Sequence, residues 1–289
     1  MLSMLRQSFK NWFSDDPFTN SAAAAYYAIF SFPGLIIIVM SVAALAFDPQ
    51  QVQALLSGQI SQILGKETAN NLFLIVQETQ QNDRDMWALI AGMLTLSFGA
   101  TGLFANLQRS LNKIFQVEVK KSAGIFVFIR TRLISFGIVL ILGLLLLVSL
   151  SLTALITVLS TWITAQFSTS FTALIALITL ITSLSTVIVL FTLIYKILPD
   201  ANIRWRSALM GGLLATILFE IGEYTLNFYF GIAKPESTFG AAGSLVLLML
   251  WVSYSCMILF IGAELAKTYE LSNYNHKITP NEIAENSEH

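Results

Sequence analysis

The sequence predicts an all-α polytopic membrane protein with six transmembrane helices, both termini in the cytoplasm, and a periplasmic amphipathic helical hairpin between spans one and two. Of its 289 residues, 55% are hydrophobic and only 11% are charged, against about a quarter charged in soluble domains. Such a chain lacks the charges to cover a soluble surface, whereas lipid tails can face apolar side chains. The strongest local signal is a run from Leu133 to Tyr195 without one Asp, Glu, Lys, Arg or His, which is long enough for two crossings.

The N-terminal segment, residues 1–21, predicts a short helix that lies on the cytoplasmic leaflet. Its apolar side chains recur at helical spacing, and Arg6 and Lys10 lie opposite them. One apolar face and one basic face are typical of a helix that lies in the membrane interface. The repeating positions are Leu5, Ser8/Phe9 and Trp12/Phe13.

Residues 22–270 are expected to form the membrane domain, and its first span covers about residues 22–47. The length of this run and the proline inside it distinguish it from a cleaved signal sequence. Pro33 removes one backbone hydrogen bond, so we expect a kink at this point. Tyr26 lies on a polar stripe beside the kink, and such a stripe is typical of a helix contact or a cavity wall.

The loop between the first two spans is too long for a simple connector, and it carries two apolar stripes. The first stripe covers residues 52–64 and the second covers residues 69–76, with Gly65-Lys66 between them. Two amphipathic stripes separated by a glycine predict a helical hairpin over about residues 50–80. The distribution of Lys and Arg predicts that this hairpin lies on the periplasmic side.

Five further spans follow from runs of roughly 20 apolar residues, the length that a helix needs to cross the hydrocarbon core. The long uncharged run is divided at its polar patch, residues 160–172, into spans three and four. These five spans cover about residues 87–105, 133–159, 171–198, 207–230 and 241–266. Residues 271–289 are polar, and we expect them to form a disordered cytoplasmic tail.

The distribution of Lys and Arg predicts the orientation of the spans. Thirteen of the 16 basic residues fall on one side of the six-span arrangement, and three, Lys66, Arg84 and Lys234, fall on the other. Cytoplasmic flanks carry the excess of Lys and Arg in membrane proteins. Both termini are therefore expected in the cytoplasm.

Span five carries two acids, Glu220 and Glu223, near its middle. They are three residues apart and share one helix face, which Asn227 continues one turn further on. An ionisable group inside a span is costly, and it marks either a functional site or an internal ion pair. The functional interpretation is a proton-coupling or substrate-binding site, for which Tyr26 and Arg109 are further candidates.

The structural interpretation of the same acids is an ion pair that locks helices together, with Arg109 or Lys196 as the cation. Glu264, near the cytoplasmic end of span six, has the same two interpretations, and here the structural one is favoured. Pro33 and Gly240 are candidates for structural or gating roles, because a proline kink and a small residue both change how helices approach each other. Small residues that permit close packing are Gly211, Gly212, Ala215 and Gly222 in span five, and Gly240, Gly243 and Ser244 in span six.

The chain lacks the residues that several classes of protein require. It contains no HExxH, GxSxG, P-loop or paired CxxC motif, so we expect no enzyme activity, no cofactor and no metal site. The single cysteine, Cys256, excludes a disulfide within these residues, and a net charge of −1 provides no basic field for nucleic acid. The expected partners are membrane lipids, with an envelope protein or a second copy of the chain as further candidates.

Short motifs stand out at five places along the chain. They are AAAAYYA at 22–28 with FSFP at 30–33, NLQRSLN at 106–112, YKILPD at 195–200 with WR at 205–206, GG at 211–212 through FE at 219–220, and STFG at 237–240 leading to LW at 250–251 and GAEL at 262–265. In this order they resemble the YihY/BrkB family of bacterial inner-membrane proteins, over nearly the whole chain from Ala22 to about Lys267. Many members of that family have tyrosine where this chain has Phe239, so no role is assigned to a hydroxyl there.

The resemblance implies a location in the bacterial inner (plasma) membrane. The family has carried a ribonuclease label, which no motif in this chain supports, and it has been linked to virulence, envelope integrity and export of lipid-like molecules. Our leading hypothesis is a protein that handles or transports a lipid-like or amphiphilic envelope molecule, with Glu220 and Glu223 as its polar centre. The alternatives are a non-transporting structural envelope protein whose periplasmic hairpin binds a partner, and a membrane-tethered nuclease.

Overall fold

The chain folds into helices in a computed structural model that describes residues 2–43, 48–64, 69–70, 73–74, 86–117, 172–233, 241–274 and 278–279. The described residues contain no β-strand, and the predicted all-α class is confirmed for this part of the chain. The helices are α1 (Leu2–Ser14), α2 (Pro17–Ala43), α3 (Pro49–Leu64), α4 (Met86–Phe115), α5 (Thr172–Ile197), α6 (Trp205–Ala233) and α7 (Ala241–Tyr274).

Among the described residues, three helices are long and apolar enough to cross a membrane. They are α5 over Leu177–Ile197, α6 over Trp205–Leu226 and α7 over Leu245–Tyr274. These helices correspond to predicted spans four, five and six, and α2 and α4 coincide with spans one and two as helices. Predicted span three lies outside the described residues, so the total of six spans stays a prediction.

A tight turn at Asp15 and Asp16 joins α1 to α2. Asp16 has a φ of 59°, a left-handed backbone conformation that aspartate tolerates better than most other residues with a side chain. Pro17 begins α2, where its fixed φ fits the first turn and its missing N–H has no intrahelical partner to lose. After the turn the chain continues as α2, and α1 packs on α7.

The helix α4 continues about three turns beyond the predicted end of span two and ends at Phe115. Two backbone hydrogen bonds close it, from Gln116 N to the Lys113 carbonyl (3.1 Å) and from Val117 N to the Asn112 carbonyl (3.0 Å). Gln116 has a φ of 56°, so the end is a Schellman C-cap with glutamine in the position that glycine usually holds. The extra turns carry the polar end of α4 to the edge of the helix bundle.

Glycines let the helices approach each other closely. A Cβ on Gly211 of α6 would lie 2.5 Å from the carbonyl oxygen of Gly262 on α7, and one on Gly99 of α4 would lie 2.6 Å from Ser31 N of α2. Gly212 faces α5, where a side-chain oxygen would be 2.5 Å from such a Cβ. The small residues of span five are therefore packing positions, as the sequence predicted.

The helix α3 is the first arm of the predicted hairpin, and its apolar stripe faces the bundle. Val52 is buried, and Leu56 and Ile60 pack against the hydrophobic core. Ala69 and Phe73, which belong to the predicted second arm, are also buried. The turn between the arms and most of the second arm lie outside the described residues, so the hairpin itself stays a prediction.

The C-terminal helix differs from the prediction, because α7 runs to Tyr274 and does not end near residue 266. Beyond it, the Thr279 carbonyl accepts a hydrogen bond of 2.8 Å from Asn202 N in the loop between α5 and α6. Ile278 packs against the core. Tertiary contacts therefore reach residues 278–279, although the composition of this segment alone is polar, and the disordered tail stays a prediction.

Candidate functional site

The two acids predicted as a polar centre lie on α6, about 22 Å from the start of the helix at Trp205. They are near the middle of α6, inside the segment that is long and apolar enough to cross a membrane. Both carboxyl side chains are partly buried. Because Glu220 and Glu223 are three residues apart, they project from neighbouring positions on one side of the helix.

A row of exposed apolar side chains runs along α6 beside the two acids. Because each residue advances the helix by about 100°, Glu220 lies at one edge of this row. Glu223 lies on the same side of the row and further from it around the helix axis. Beyond Glu223 the surface of α6 packs on α5 through Gly212. The acids therefore lie between the exposed row and the contact with α5. The exposed row consists of Ile217, Ile221, Tyr224 and Phe228.

The opposite side of α6 is covered by Tyr254 of α7. The tyrosine ring lies against Gly222, where any Cβ would collide with the ring. The tyrosine hydroxyl donates a hydrogen bond of 3.1 Å to the Leu218 carbonyl. Gly222 therefore has a packing role, and the acids on either side of it in sequence point away from α7.

The two cations expected to neutralise the acids have other partners. Lys196 donates a hydrogen bond to a backbone carbonyl in the loop between α5 and α6, and Arg109 Nε donates one of 2.9 Å to a carbonyl of its own helix. Lys196 lies beside the Trp205 ring at the start of α6, which is about 20 Å from the acids. Within the described residues, neither Glu220 nor Glu223 has an ion pair or a hydrogen-bond partner.

The remaining candidates are not joined to the two acids by any described contact. Tyr26 is exposed on α2, where its ring contacts other rings of the same helix, and α2 packs mainly on α4 and α7. The helix α2 continues through Pro33, and the size of the kink stays a prediction. Asn227 lies on α6 one turn after Glu223, and Gly240 lies outside the described residues.

Glu264 belongs to a buried ion pair on α7. Its side chain is 0% exposed, and its Oε1 lies 3.4 Å from Nζ of Lys267, one turn later on the same helix. The Ser8 hydroxyl of α1 lies 3.4 Å from the Glu264 carbonyl and 3.1 Å from Thr268 Oγ1. Because a buried charge without a partner is strongly destabilising, this pairing favours the structural interpretation of Glu264.

A polar cluster joins α4 to the loop between α5 and α6. Asp200 Oδ2 accepts hydrogen bonds of 2.9 Å from Gln108 Nε2 and 2.9 Å from Asn112 Nδ2. Asn112 Oδ1 in turn accepts a hydrogen bond of 2.8 Å from Asp200 N. The motifs NLQRSLN and YKILPD are far apart in the sequence, and this reciprocal contact is where they meet.

Glu270 of α7 caps the N-terminus of α6. Its carboxylate accepts hydrogen bonds from Ser207 Oγ and from Arg204 N (3.3 Å), and it lies 3.8 Å from Arg204 Nε. The Arg204 guanidinium lies 3.9 Å from the centre of the Tyr274 ring. A carboxylate in this position satisfies the Arg204 backbone N–H at the start of the helix and interacts favourably with the helix dipole. Glu270 therefore attaches the end of α7 to the start of α6.

These polar contacts lie at one end of the helix bundle. Lys113, at the end of α4, pairs with Asp15 in the turn between α1 and α2 (3.6 Å). The Asp200 contacts join the same end of α4 to the loop between α5 and α6, and Arg204 in that loop pairs with Glu270 of α7. The segments that meet here are those that the distribution of Lys and Arg assigns to the cytoplasm. In the sequence, Asp200 stands out only as part of the motif YKILPD, and Glu270 does not stand out. The available signal was the set of polar residues at helical spacing from Asn106 to Asn112.

Comparison with known proteins identifies the family. The profile of the family described as Virulence factor BrkB matches residues 8–286, which extend from α1 to beyond α7. The chain belongs to the BrkB family. The resemblance seen in the motifs is thereby confirmed, and the polar cluster between α4 and the α5–α6 loop joins two of the motifs of this BrkB-family protein.

Relatives of this BrkB-family protein are named UPF0761 membrane proteins. It is 37% identical to one from Tolumonas auensis over 79 residues, which are 26% of each chain. It is 25% identical to one from Ralstonia nicotianae over 179 residues, or 62% of this chain and 38% of that one. The Pseudoalteromonas atlantica protein is 29% identical over 182 residues, or 62% of this chain and 57% of that one. The chain thus matches less than two thirds of the length of each relative, and no solved structure matches it.

Proposed function

We propose that this BrkB-family membrane protein handles or transports a lipid-like or amphiphilic envelope molecule, with Glu220 and Glu223 as its polar centre. The observation that carries this proposal is the position of two partly buried carboxyl groups inside a candidate membrane span, at the edge of an exposed apolar row. A charged side chain at the centre of a spanning helix costs about 3 kcal/mol. Two such residues on one face are best explained by a function that needs them.

The arrangement suits a molecule with a polar head and an apolar tail. Glu220 and Glu223 offer hydrogen-bond acceptors, or a counter-charge for a cationic head. The adjacent row of Ile217, Ile221 and Tyr224 offers apolar surface at the same depth. An amphiphile could therefore bind with its head at the acids and its tail along α6, on the side that α7 does not cover.

The competing proposal is a structural envelope protein whose intramembrane acids only hold helices together. This chain does contain a structural ion pair, Glu264 with Lys267 on the same helix, and both of its members are almost completely buried. By contrast, Glu220 and Glu223 are partly exposed and have no cation among the described residues. The difference in burial and pairing favours a functional role for the acids of α6.

The same proposal places the protein in the bacterial inner membrane with both termini in the cytoplasm, as a transporter or lipid-handling protein without enzymatic activity. The orientation in this proposal rests on the excess of Lys and Arg in the segments that meet at one end of the bundle. Its partners are then lipids, and an envelope protein or a second copy of the chain are further candidates. A reporter that is active only in the periplasm, fused to the C-terminus, measures the orientation directly.

A lipid-movement assay tests the function. The purified protein is reconstituted into liposomes with a trace of tail-labelled fluorescent phosphatidylglycerol or phosphatidylethanolamine, and dithionite is added outside to bleach the outer leaflet. The wild type is expected to expose more label than protein-free liposomes do. The double variant Glu220→Gln/Glu223→Gln should fall to the protein-free level, because it keeps the shape of the side chains but removes both charges.

The matched control is Thr225→Val on the same helix, where the Thr225 hydroxyl donates a hydrogen bond of 2.8 Å to the Ile221 carbonyl of its own helix. It should move lipid as the wild type does, and all variants should elute as folded protein in size-exclusion chromatography. A folded double variant with wild-type activity would show that the acids are not the polar centre. A wild type that moves neither lipid would contradict phospholipid transport.

A further inference from the structure

The first helix, α1, presents four different sectors around its axis. Each residue advances the helix by about 100°, so neighbours in space are separated in sequence. One sector faces α7, the next is apolar and exposed, the third is basic, and the fourth is polar. In this order the sectors are Ser8 with Trp12, then Leu5 with Phe9 and Phe13, then Arg6 with Lys10, and last Gln7 with Asn11 and Ser14.

The inward sector attaches α1 firmly to α7. Ser8 is 1% exposed and Trp12 is 9% exposed, and the Ser8 hydroxyl lies 3.1 Å from Thr268 Oγ1. The sequence grouped both residues with the phenylalanines in one apolar face. The structure divides that face, because Ser8 and Trp12 face the protein and the phenylalanines do not.

Three phenylalanines form an exposed aromatic patch beside this contact. Phe9 is 50%, Phe13 is 53% and Phe18 is 52% exposed. The ring centres of Phe9 and Phe13 lie 5.2 Å apart, and those of Phe13 and Phe18 lie 6.1 Å apart. The buried Trp12 contacts all three rings, at distances of 5.0 to 5.8 Å between ring centres. The aromatic patch (Phe9, Phe13 and Phe18) is therefore held in place before anything binds to it.

The charges around the aromatic patch suit an anionic membrane surface. Arg6 and Lys10 are exposed and lie between the apolar and polar sectors, where long basic side chains can reach lipid phosphates while their stems stay in apolar surroundings. The helix α1 contains no Asp or Glu. Phe18 is the second residue of α2, so the patch lies where that helix begins its course into the membrane domain.

We infer that the aromatic patch inserts into the anionic lipid of the cytoplasmic leaflet, with Arg6 and Lys10 bound to lipid phosphates. The helix α1 is then a fixed lipid-binding element on α7. Little ordering is needed on binding, because Ser8 and Trp12 already hold the helix. This role goes beyond the proposed function and does not depend on it, since a structural envelope protein could use the same lipid contact.

Site-specific labelling of the full chain tests the inference. The chain has a single cysteine, which is buried, so a Cys256→Ala background leaves one introduced cysteine to carry an environment-sensitive fluorophore. Phe13→Cys places the probe in the aromatic patch, and Gln7→Cys places it in the polar sector of the same helix. Each labelled protein is put into nanodiscs that contain phosphatidylglycerol, with nitroxide at a shallow acyl position or with acrylamide in the water as the quencher.

The inference predicts that the probe at position 13 is quenched by the nitroxide lipid and shielded from acrylamide, and that the probe at position 7 shows the reverse. Adding Arg6→Gln/Lys10→Gln should reduce the lipid quenching several-fold, toward its value in phosphatidylcholine nanodiscs. Equal acrylamide quenching at both positions would overturn the inference. So would a probe at position 13 that neither quencher reaches, since a protein segment would then cover the patch. If Phe13→Cys does not fold, Phe9→Cys carries the same test.

Discussion

Replacement of Gly211 by alanine tests the close contact between α6 and α7. An added Cβ would lie 2.5 Å from the Gly262 carbonyl oxygen and 2.9 Å from the Ala266 Cβ. Carbon and oxygen atoms in contact normally lie about 3.3–3.6 Å apart, so the helices would have to separate by most of an ångström. The main obstacle is backbone, which cannot rotate away as a side chain can.

The matched control is Gly58→Ala on α3, where an added Cβ meets nothing within 4 Å. Both substitutions gain about 1 kcal/mol of helix propensity, because alanine is the better helix former. Only the Gly211 variant also has the cost of overpacking, about 1–3 kcal/mol. We therefore expect Gly211→Ala to be less stable than Gly58→Ala by about 1–3 kcal/mol, and Gly58→Ala to be equal to the wild type or slightly more stable.

The measurement is thermal unfolding in detergent, followed by the loss of the monodisperse peak in fluorescence-detected size-exclusion chromatography. The two variants and the wild type are compared at the same protein and detergent concentrations. If Gly211→Ala unfolds at the same temperature as Gly58→Ala or above it, the helices α6 and α7 do not approach each other as described. Gly211 would then not be a close-packing position between these two helices.

Two further predictions concern polar contacts at the end of the helix bundle where Asp200 and Glu270 lie, and the same thermal-unfolding assay measures both. Lys267→Met leaves Glu264 buried without a cation, so we expect the free energy of unfolding to fall by about 3–5 kcal/mol. Adding Glu264→Gln should recover part of this loss. If it recovers none, the two charges do not interact. Asp200→Ala removes the charged acceptor of two amide hydrogen bonds, so we expect the free energy of unfolding to fall by about 1.5–3 kcal/mol. In the Asn112→Ala background, Asp200→Ala should lower the free energy of unfolding by clearly less. An equal loss of stability in both backgrounds would contradict the reciprocal contact between these residues.

The positions of the helices followed from composition and periodicity, because the bilayer requires long apolar runs and satisfied backbone groups. Spans four, five and six were predicted within a few residues of α5, α6 and α7. The end of α7 was not predicted. Residues beyond 266 are mixed in polarity, and contacts of Glu270 and Ile278 attach this part of the chain to the rest of the protein. A local pattern carries no information about a partner that is distant in the sequence.

The candidate site was predictable only in part. Glu220 and Glu223 are conspicuous in sequence because two acids in an apolar run are rare, whatever surrounds them. Whether each acid is paired was not predictable, because pairing depends on which helix faces it. The structure separates Glu264, which is buried beside Lys267, from the acids of α6, whose expected partners Lys196 and Arg109 bind backbone carbonyls instead.

The sequence by itself determined that this protein is helical, that it belongs in a membrane, and where its polar residues interrupt the apolar runs. These properties depend on the transfer of side chains between water and lipid, which is a property of each segment alone. Only the tertiary structure decided that Asp200 meets Asn112, that Glu270 caps α6, and that α1 turns Trp12 inward and Phe13 outward. These contacts join segments far apart in the chain, so they depend on how the helices pack and not on the composition of any one of them.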